Sequence, residues 1–308
     1  MANNIKLCKV LIENDSIILD AETDQGLTAL DIACHNSNTD ILSMLLDRGC
    51  SVNYVSRKSL NKCPYLLKYL DKETIATILL QQGANINYVM QVNGDSLLHL
   101  ACIENSTLKV KLLLAKGVDV SIRNHQGRNA LHTAVATGAS VHLIASLIAA
   151  KGININEEDN QSFTALHLAC DSCKTRIDII DLLINSGANV NAQTSKKFTP
   201  LHLAVKNLNY EIFEHLLEKG SDISMIGPNG NSVFHILFLH KENEDKLCNS
   251  DNEYSKILLV SAFVEKIGKL QAISLLFKTN YDGLTPFHIL ANYGNLQLMN
   301  NIISMSLN

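Results

Sequence analysis

A seven-residue pattern recurs along the chain at nearly constant spacing, and no other feature narrows the possible folds as far. It reads TALDIAC from Thr28, SLLHLAC from Ser96, NALHTAV from Asn129, TALHLAC from Thr164, TPLHLAV from Thr199, SVFHILF from Ser232 and TPFHILA from Thr285. A degenerate copy, CPYLLKY from Cys63, fills the one gap, so successive starts lie 35, 33, 33, 35, 35, 33 and 53 residues apart. A period near 33 is the signature of an array of small units, each burying its apolar face on its neighbours instead of in one central core.

A second motif keeps phase with the first: GCSVN from Gly49, GANIN from Gly83, GVDVS from Gly117, GININ from Gly152, GANVN from Gly187 and GSDIS from Gly220. The runs leading into these glycines, such as DILSMLLDRG and EIFEHLLEKG, space Leu and Ile as an amphipathic helix does, and Gly then supplies the left-handed C-terminal cap. Polar turns rich in Asn, Asp and Gly follow. The unit is therefore helix, short turn, helix and a projecting hairpin-like loop, and the fold class is all-α.

Period and residues together resemble the ankyrin repeat, whose consensus carries T-P-L-H-x-A at the start of its first helix and a Gly-Ala-Asp-Val-Asn-like ending after its second. Thr199 to Ala204 reproduces the first of these outright. The resemblance covers essentially the whole chain and implies a single α-solenoid over 1–308, with repeats starting near 28, 63, 96, 129, 164, 199, 232 and 285. Residues 1–27 read as an N-terminal half-repeat cap, because IKLCKVLIEN looks like a second helix, and LQLMNNIISMSLN reads as the second helix of the last copy. Between Ser232 and Gly268 stand about fifteen residues more than in a regular copy such as Thr199 to Gly220. The charged, turn-forming segment 240–256 is the expected inserted loop, of a kind that often carries function on a rigid scaffold.

Composition excludes several function classes. The net charge of -4 and a charged fraction of 18% leave no basic footprint for nucleic acid or an anionic membrane. The N-terminal MANNIKLCKVLIENDS has too short an apolar run for a secretory signal, and no later segment reaches the apolar length of a membrane span. Eight irregularly spaced cysteines do not suggest a disulfide scaffold. Reduced thiols fit a cytoplasmic or nuclear location, or the host cytosol for an effector. Asn makes up about one residue in ten, which implies many turns and left-handed positions.

TALHLACDSC tests whether the repeat hides chemistry, since His167, Cys170 and Cys173 stand three apart and a histidine with two thiolates suits zinc. The register answers against it. His99, His132, His167, His202, His235 and His288 all hold the fourth motif place, where the resemblance implies a ring bonded to the backbone of the neighbouring hairpin. Cys34, Cys102 and Cys170 share one place with Val135 and Val205, so that position takes a small apolar side chain. Cys173 and Cys248 are the cysteines expected at the surface. No phosphate loop, H-E-x-x-H or G-x-S-x-G occurs, and Glu157, Glu158 and Asp159 read as a solvated hairpin tip. No cofactor, metal site or catalytic residue is expected.

By the resemblance, partner contacts come from hairpin tips, the residue before each motif, and the residues after it at the end of the first helix. The candidates are Tyr54, Tyr88, Met90, Ile103, Glu104, Arg128, Phe163, Asp171, Ser172, Phe198, Lys206 and Met225. Phe163 and Phe198 hold equivalent places in consecutive repeats, where they form either a paired aromatic anchor or framework packing. The expected function is a non-catalytic protein-binding module, an adaptor, scaffold or inhibitor that takes a partner protein on its concave face and hairpin tips. It is expected to be monomeric, without nucleic acid and without membrane insertion. Two alternatives stand beside it. One is a secreted bacterial or viral effector that captures a host protein; the other is the recognition region of a larger enzyme or channel, with Cys248 and His240 of the insertion as the best available reactive pair.

Overall fold

The motif copies starting at Thr28, Ser96, Asn129, Thr164 and Thr199 build their helix from a reciprocal cap. Thr164 has extended backbone and stands at the N-cap, where its hydroxyl accepts from the His167 N–H at 3.4 Å. The Thr164 N–H in turn donates to His167 Nδ1 at 3.1 Å. The same exchange joins Ser96 to His99, Asn129 to His132 and Thr199 to His202. This is a capping box in which histidine takes the place usually held by Glu or Gln. In the Ser- and Thr-capped copies Nδ1 accepts from the main-chain amide and lies within bonding distance of the cap hydroxyl, which places the ring proton on Nε2, free to donate toward the following hairpin. His132 reaches Phe163 O at 3.0 Å, His167 reaches Ala192 O at 3.0 Å and Phe198 O at 3.2 Å, and His235 reaches Leu284 O at 2.9 Å.

The computed structural model describes residues 2–14, 16–56, 64–172, 176–239, 259–261, 265–266, 268–293 and 299–300. The insertion 240–256, the surface cysteines Cys173 and Cys248, the motif residue Cys63 and most of the expected last helix lie outside them. Two compact units result, Met1–Asn124 and His125–Asn308. Among the described residues there is no strand, only an antiparallel bridge between Val89 and Ser96.

In the first unit, helix Ala2–Ile12 packs on Thr39–Asp47, the second helix of the pair begun by Ala29–His35. Tyr65–Lys68 with Glu73–Gln81, and Leu97–Ile103 with Thr107–Ala115, complete it. Leu30, Leu42, Ile75, Leu79, Leu97 and Leu113 are fully buried between them. The second unit repeats the scheme with Ala130–Ala136 and Val141–Ile148, Ala165–Cys170 and Ile177–Asn185, and Pro200–Lys206 and Tyr210–Glu218. Val233–Leu239 then packs on both Pro200–Lys206 and Pro286–Tyr293. Gly268, at φ 81°, follows the helical residues 265–266 and also stands at the start of a further helix, Lys269–Leu276, which the motif register does not contain.

The GANVN ending does more than close a helix. Its last Asn reaches into the next copy: Asn156 Oδ1 accepts from the Asn189 N–H at 2.7 Å while its Nδ2 donates to Gly187 O at 2.9 Å. Asn53 makes the same pair of bonds to Asn85 and Gly83, and Asn87 and Asn191 accept from the amides of Asp119 and Asp222. This ladder gives the abundant asparagine a use beyond turns.

The first and second copies are joined differently, because Asp31 occupies the histidine place. It keeps the cap, accepting from the Thr28 N–H at 3.2 Å, but cannot reach forward to the next hairpin. The degenerate copy reaches back instead. Lys68 Nζ lies 2.6 Å from Asp31 Oδ1, Tyr69 Oη donates to Asp31 O at 3.1 Å, and Tyr65 Oη lies 2.8 Å from the Thr28 hydroxyl. Asp31 is 3% exposed, so removing its carboxylate strands a buried amide and a partly buried ammonium. Asp31→Ala is expected to lower unfolding free energy by about 2 kcal/mol, discounting for the half-exposed Lys68, and Tyr69→Phe by less than about 1 kcal/mol, both read from urea denaturation.

Burial holds His132, His167, His202 and His235 below the usual imidazole range, His202 down to about 4. Folding therefore favours the neutral rings, so their contribution is complete above 6.5 and is lost as pH falls from there through the folded values. The urea midpoint is expected to stay flat from pH 8 to 7 and to drop steeply between about pH 6.5 and 4, with His202 alone contributing about 3 kcal/mol of that fall. His202→Gln should flatten the profile.

Candidate partner-binding surface

A regular set of turns carries the tip residues. In each hairpin of the second unit, the residue four before the one that precedes the motif folds its side chain or amide back: Asp159 Oδ1 accepts from the Phe163 N–H at 3.0 Å, Thr194 Oγ1 from Phe198 at 3.0 Å and Asn280 Oδ1 from Leu284 at 3.0 Å. Local side-chain bonds of this kind fix a turn without a sheet. Successive tips then bond to one another. The Asn160 N–H donates to Gln126 O, Ser195 to Gln161 O, and Tyr281 to Asn229 O, all at 3.0 Å. Close stacking demands glycine at two of these turns: a Cβ on Gly127 would fall 2.2 Å from Asn160 Oδ1, and one on Gly230 would fall 2.6 Å from the Tyr281 ring.

One step of this ladder is missing. The equivalent of Asn160 and Ser195 in the next copy is Pro228, which has no N–H to offer to the Lys196 carbonyl. In the same hairpin His202 Nε2 lies against Gly227 and closes no bond of ordinary geometry, unlike His132, His167 and His235. Gln193 Nε2, bonded to Ile226 O at 3.1 Å, bridges the step instead.

Phe163 and Phe198 are both half-buried and neither belongs to the fully buried core. Their main chains belong to the framework, since each carbonyl receives a histidine, while their rings do not fill the core. The Phe163 ring meets His167 at 5.7 Å and 60°, and His167 Nε2 bonds Phe198 O, so one imidazole links the two residues. Lys206 Nζ lies 6.0 Å from the centre of the Phe198 ring and 3.6 Å from Asp171 Oδ1, and Asn207 Nδ2 donates to Asp171 at 3.3 Å. Phe163, Asp171, Phe198 and Lys206 are thus brought to one neighbourhood, with half-buried Ser172 beside Asp171. Met225 is half-buried in the turn that leads to the Pro228 tip.

The acidic tip departs from expectation. Glu158 is exposed, but Asp159 is 7% exposed and pairs with Arg128 Nε at 3.2 Å. Its carboxylate also receives the amides of Gln161 and Phe163, so it is the hub of its hairpin instead of a solvated charge. Arg128 is accordingly a hairpin brace as well as a surface group. Arg128→Ala is expected to cost about 1 to 2 kcal/mol of stability, because it leaves a buried carboxylate one partner short, and differential scanning calorimetry would show it as a lowered Tm.

The first unit carries its candidates on a true hairpin. The Met90 N–H donates to Asp95 O at 2.8 Å and the Leu97 N–H to Tyr88 O at 3.2 Å, which leaves Val92 79% exposed at the tip. Sequence reasoning passed over Val92; its place between Met90 and the Asn93–Gly94 turn was the available signal. Tyr54 Oη donates to Glu22 at 2.9 Å. At the end of helix Leu97–Ile103, Ile103 is 48% exposed and Glu104 pairs with Lys109 at 2.7 Å.

The candidate zinc or nucleophile residues are committed elsewhere. Burial pushes the Cys34 and Cys102 thiols up to about 12 and Cys170 higher still, first by desolvation and then, for Cys170, by the Asp171 charge. Such thiols are not nucleophiles at neutral pH. Among the described residues no group of three or more His, Cys, Asp or Glu is placed to hold a metal ion, and no helix is long and apolar enough to cross a membrane.

Capped helix pairs at a 33-residue period, tied by histidines and asparagines, define an α-helical repeat protein. The chain matches the family model described as ankyrin repeats (3 copies) over residues 65–159 and 138–226, and that described as ankyrin repeats (many copies) over 1–46. It belongs to the ankyrin-repeat family, whose repeats are generally modules for binding other proteins and typically non-catalytic.

Proposed function

We propose that this chain is an adaptor, scaffold or inhibitor that works by holding a partner protein against its hairpin tips and first-helix ends, without chemistry of its own. The observation that carries the reading is the state of Phe163 and Phe198. Their carbonyls are held by His132 and His167, yet both residues remain only partly buried at equivalent places in consecutive repeats. An aromatic residue held in place and left partly wet loses little entropy on binding and gains its remaining burial only when a partner covers it. Val92 and Ile103 offer further apolar surface in the first unit. The mechanism is steric and positional: the partner is held, and one of its surfaces is blocked or presented elsewhere.

The test separates anchor from framework. Phe163→Ala with Phe198→Ala keeps both carbonyls and both amides, so Tm is expected to fall only slightly, while capture of a partner identified by affinity purification and mass spectrometry falls at least tenfold in Kd. A large loss of Tm with unchanged capture would make the rings framework and sink the reading.

A further inference from the structure

Lys196 and Lys197 form the tip next to Phe198, and both side chains are exposed. Lys206 brings a third ammonium over the Phe198 ring, 6.0 Å from its centre. Asp171 is the one carboxylate paired with Lys206, at 3.6 Å, and no ion pair engages Lys196 or Lys197 among the described residues. The chain as a whole is acidic, at -4, so three lysines around one aromatic ring stand against the general balance.

Two features show that this tip departs from its equivalents. Lys197 sits at φ 70°, in the left-handed region, where the same turn place holds Gly127 at 75°, Gly230 at 74° and Gly283 at 73°, and the small polar Ser162 at 57°. A side chain there costs on the order of 1 kcal/mol that glycine would not, and of the residues at this place in the second unit it is the charged one. The adjacent Lys196 carbonyl is also the one that Pro228 leaves without an amide in the tip ladder. A main-chain acceptor, two ammonium groups and half-buried Phe198 with a third ammonium over its ring are therefore presented together.

We propose that this tip takes an acidic, extended peptide segment of the partner protein, with carboxylates on Lys196, Lys197 and Lys206, an apolar side chain on Phe198, and a backbone N–H on the Lys196 carbonyl. The inference rests on the protein-binding reading above and names the chemistry of what is bound. Charge complementarity selects the acidic segment and speeds its encounter, while the ring provides the contact that a plain polyanion lacks. The mixed sign of the neighbourhood, with Asp171 beside Lys206 and Glu158 exposed near the preceding tip, favours a protein segment over nucleic acid.

A library of random short peptides, selected on the immobilised full chain, provides the probe; selected peptides are synthesised, labelled and titrated by fluorescence anisotropy. The expected sequences carry Asp or Glu flanking an apolar residue and bind more weakly as salt rises. Their affinity should fall at least tenfold for Lys196→Glu with Lys197→Glu, survive Lys196→Arg with Lys197→Arg, and be unchanged for Lys151→Glu, a control just beyond helix Val141–Ile148. Peptides with their acids exchanged for Lys should regain binding to the charge-reversed chain. Near-ultraviolet circular dichroism verifies that the variants keep their packing. Selected peptides without acidic residues, or acidic peptides indifferent to the charge reversal, would overturn the inference while leaving the protein-binding reading in place. A single-stranded oligonucleotide that displaces the peptides through the same lysines would overturn it in favour of nucleic acid. If no peptide is selected at all, the inference is overturned, while the protein-binding reading is decided by the capture test on the Phe163→Ala, Phe198→Ala chain.

Discussion

A buried imidazole that caps its own helix and braces the next hairpin is the interaction on which the rest of this structure depends. The two functions are chemically linked. Because Nδ1 of His167 is occupied by the amide of Thr164, and that of His235 by the amide of Ser232, the proton resides on Nε2, and only then can the ring donate forward to a carbonyl of the next hairpin. Protonation would turn Nδ1 into a donor and set it against the amide it now accepts from. Local cap and long-range brace thus share one proton, which couples helix initiation to stacking.

Exceptions show what the interaction supplies. With Asp31 in the histidine place, the cap survives because a carboxylate accepts as well as an imidazole, but the forward donor is gone. Tyr69 and Lys68 restore the link from the opposite side, which explains why CPYLLKY departs so far from the motif and still forms a repeat. At the hairpin holding Pro228, the imidazole is present but its Nε2 closes no bond of ordinary geometry, and the tip ladder is open at the same place. That is also where the charged, half-aromatic surface lies. Among the described tips of the second unit, the ladder continues on both sides of this step, from Gln161 to Ser195 and from Asn229 to Tyr281.

Much of the fold was legible in the chain because repetition makes each residue its own control. His167 and Cys170 lost their appearance as a metal site once His132, His202, Cys34 and Cys102 were seen to hold the same places, and the structure shows those places as cap and core. The roles of Asn156 and Asn191 were less visible. Their motif reads as a helix ending, and the bond that matters runs to an amide more than thirty residues away. Asp159 misled for the same reason: three acids in a row look like solvent-facing charge until the hairpin closes around one of them and Arg128 reaches it. The added helix Lys269–Leu276 follows a glycine that resembles all the other closing glycines, so no local signal marked it.

The sequence by itself determined the all-α repeat, its period and the glycine that closes each second helix, because these depend on spacing and on residue type within one turn of chain. Tertiary structure alone decided how the candidate contact residues are held. Phe163 and Phe198 have ordinary hydrophobic identities in sequence, and only the packing of consecutive hairpins holds their carbonyls while leaving both residues partly buried. Likewise, Pro228 is an unremarkable turn residue until the neighbouring tip is set beside it, where its missing N–H leaves the Lys196 carbonyl without the partner that every regular step provides.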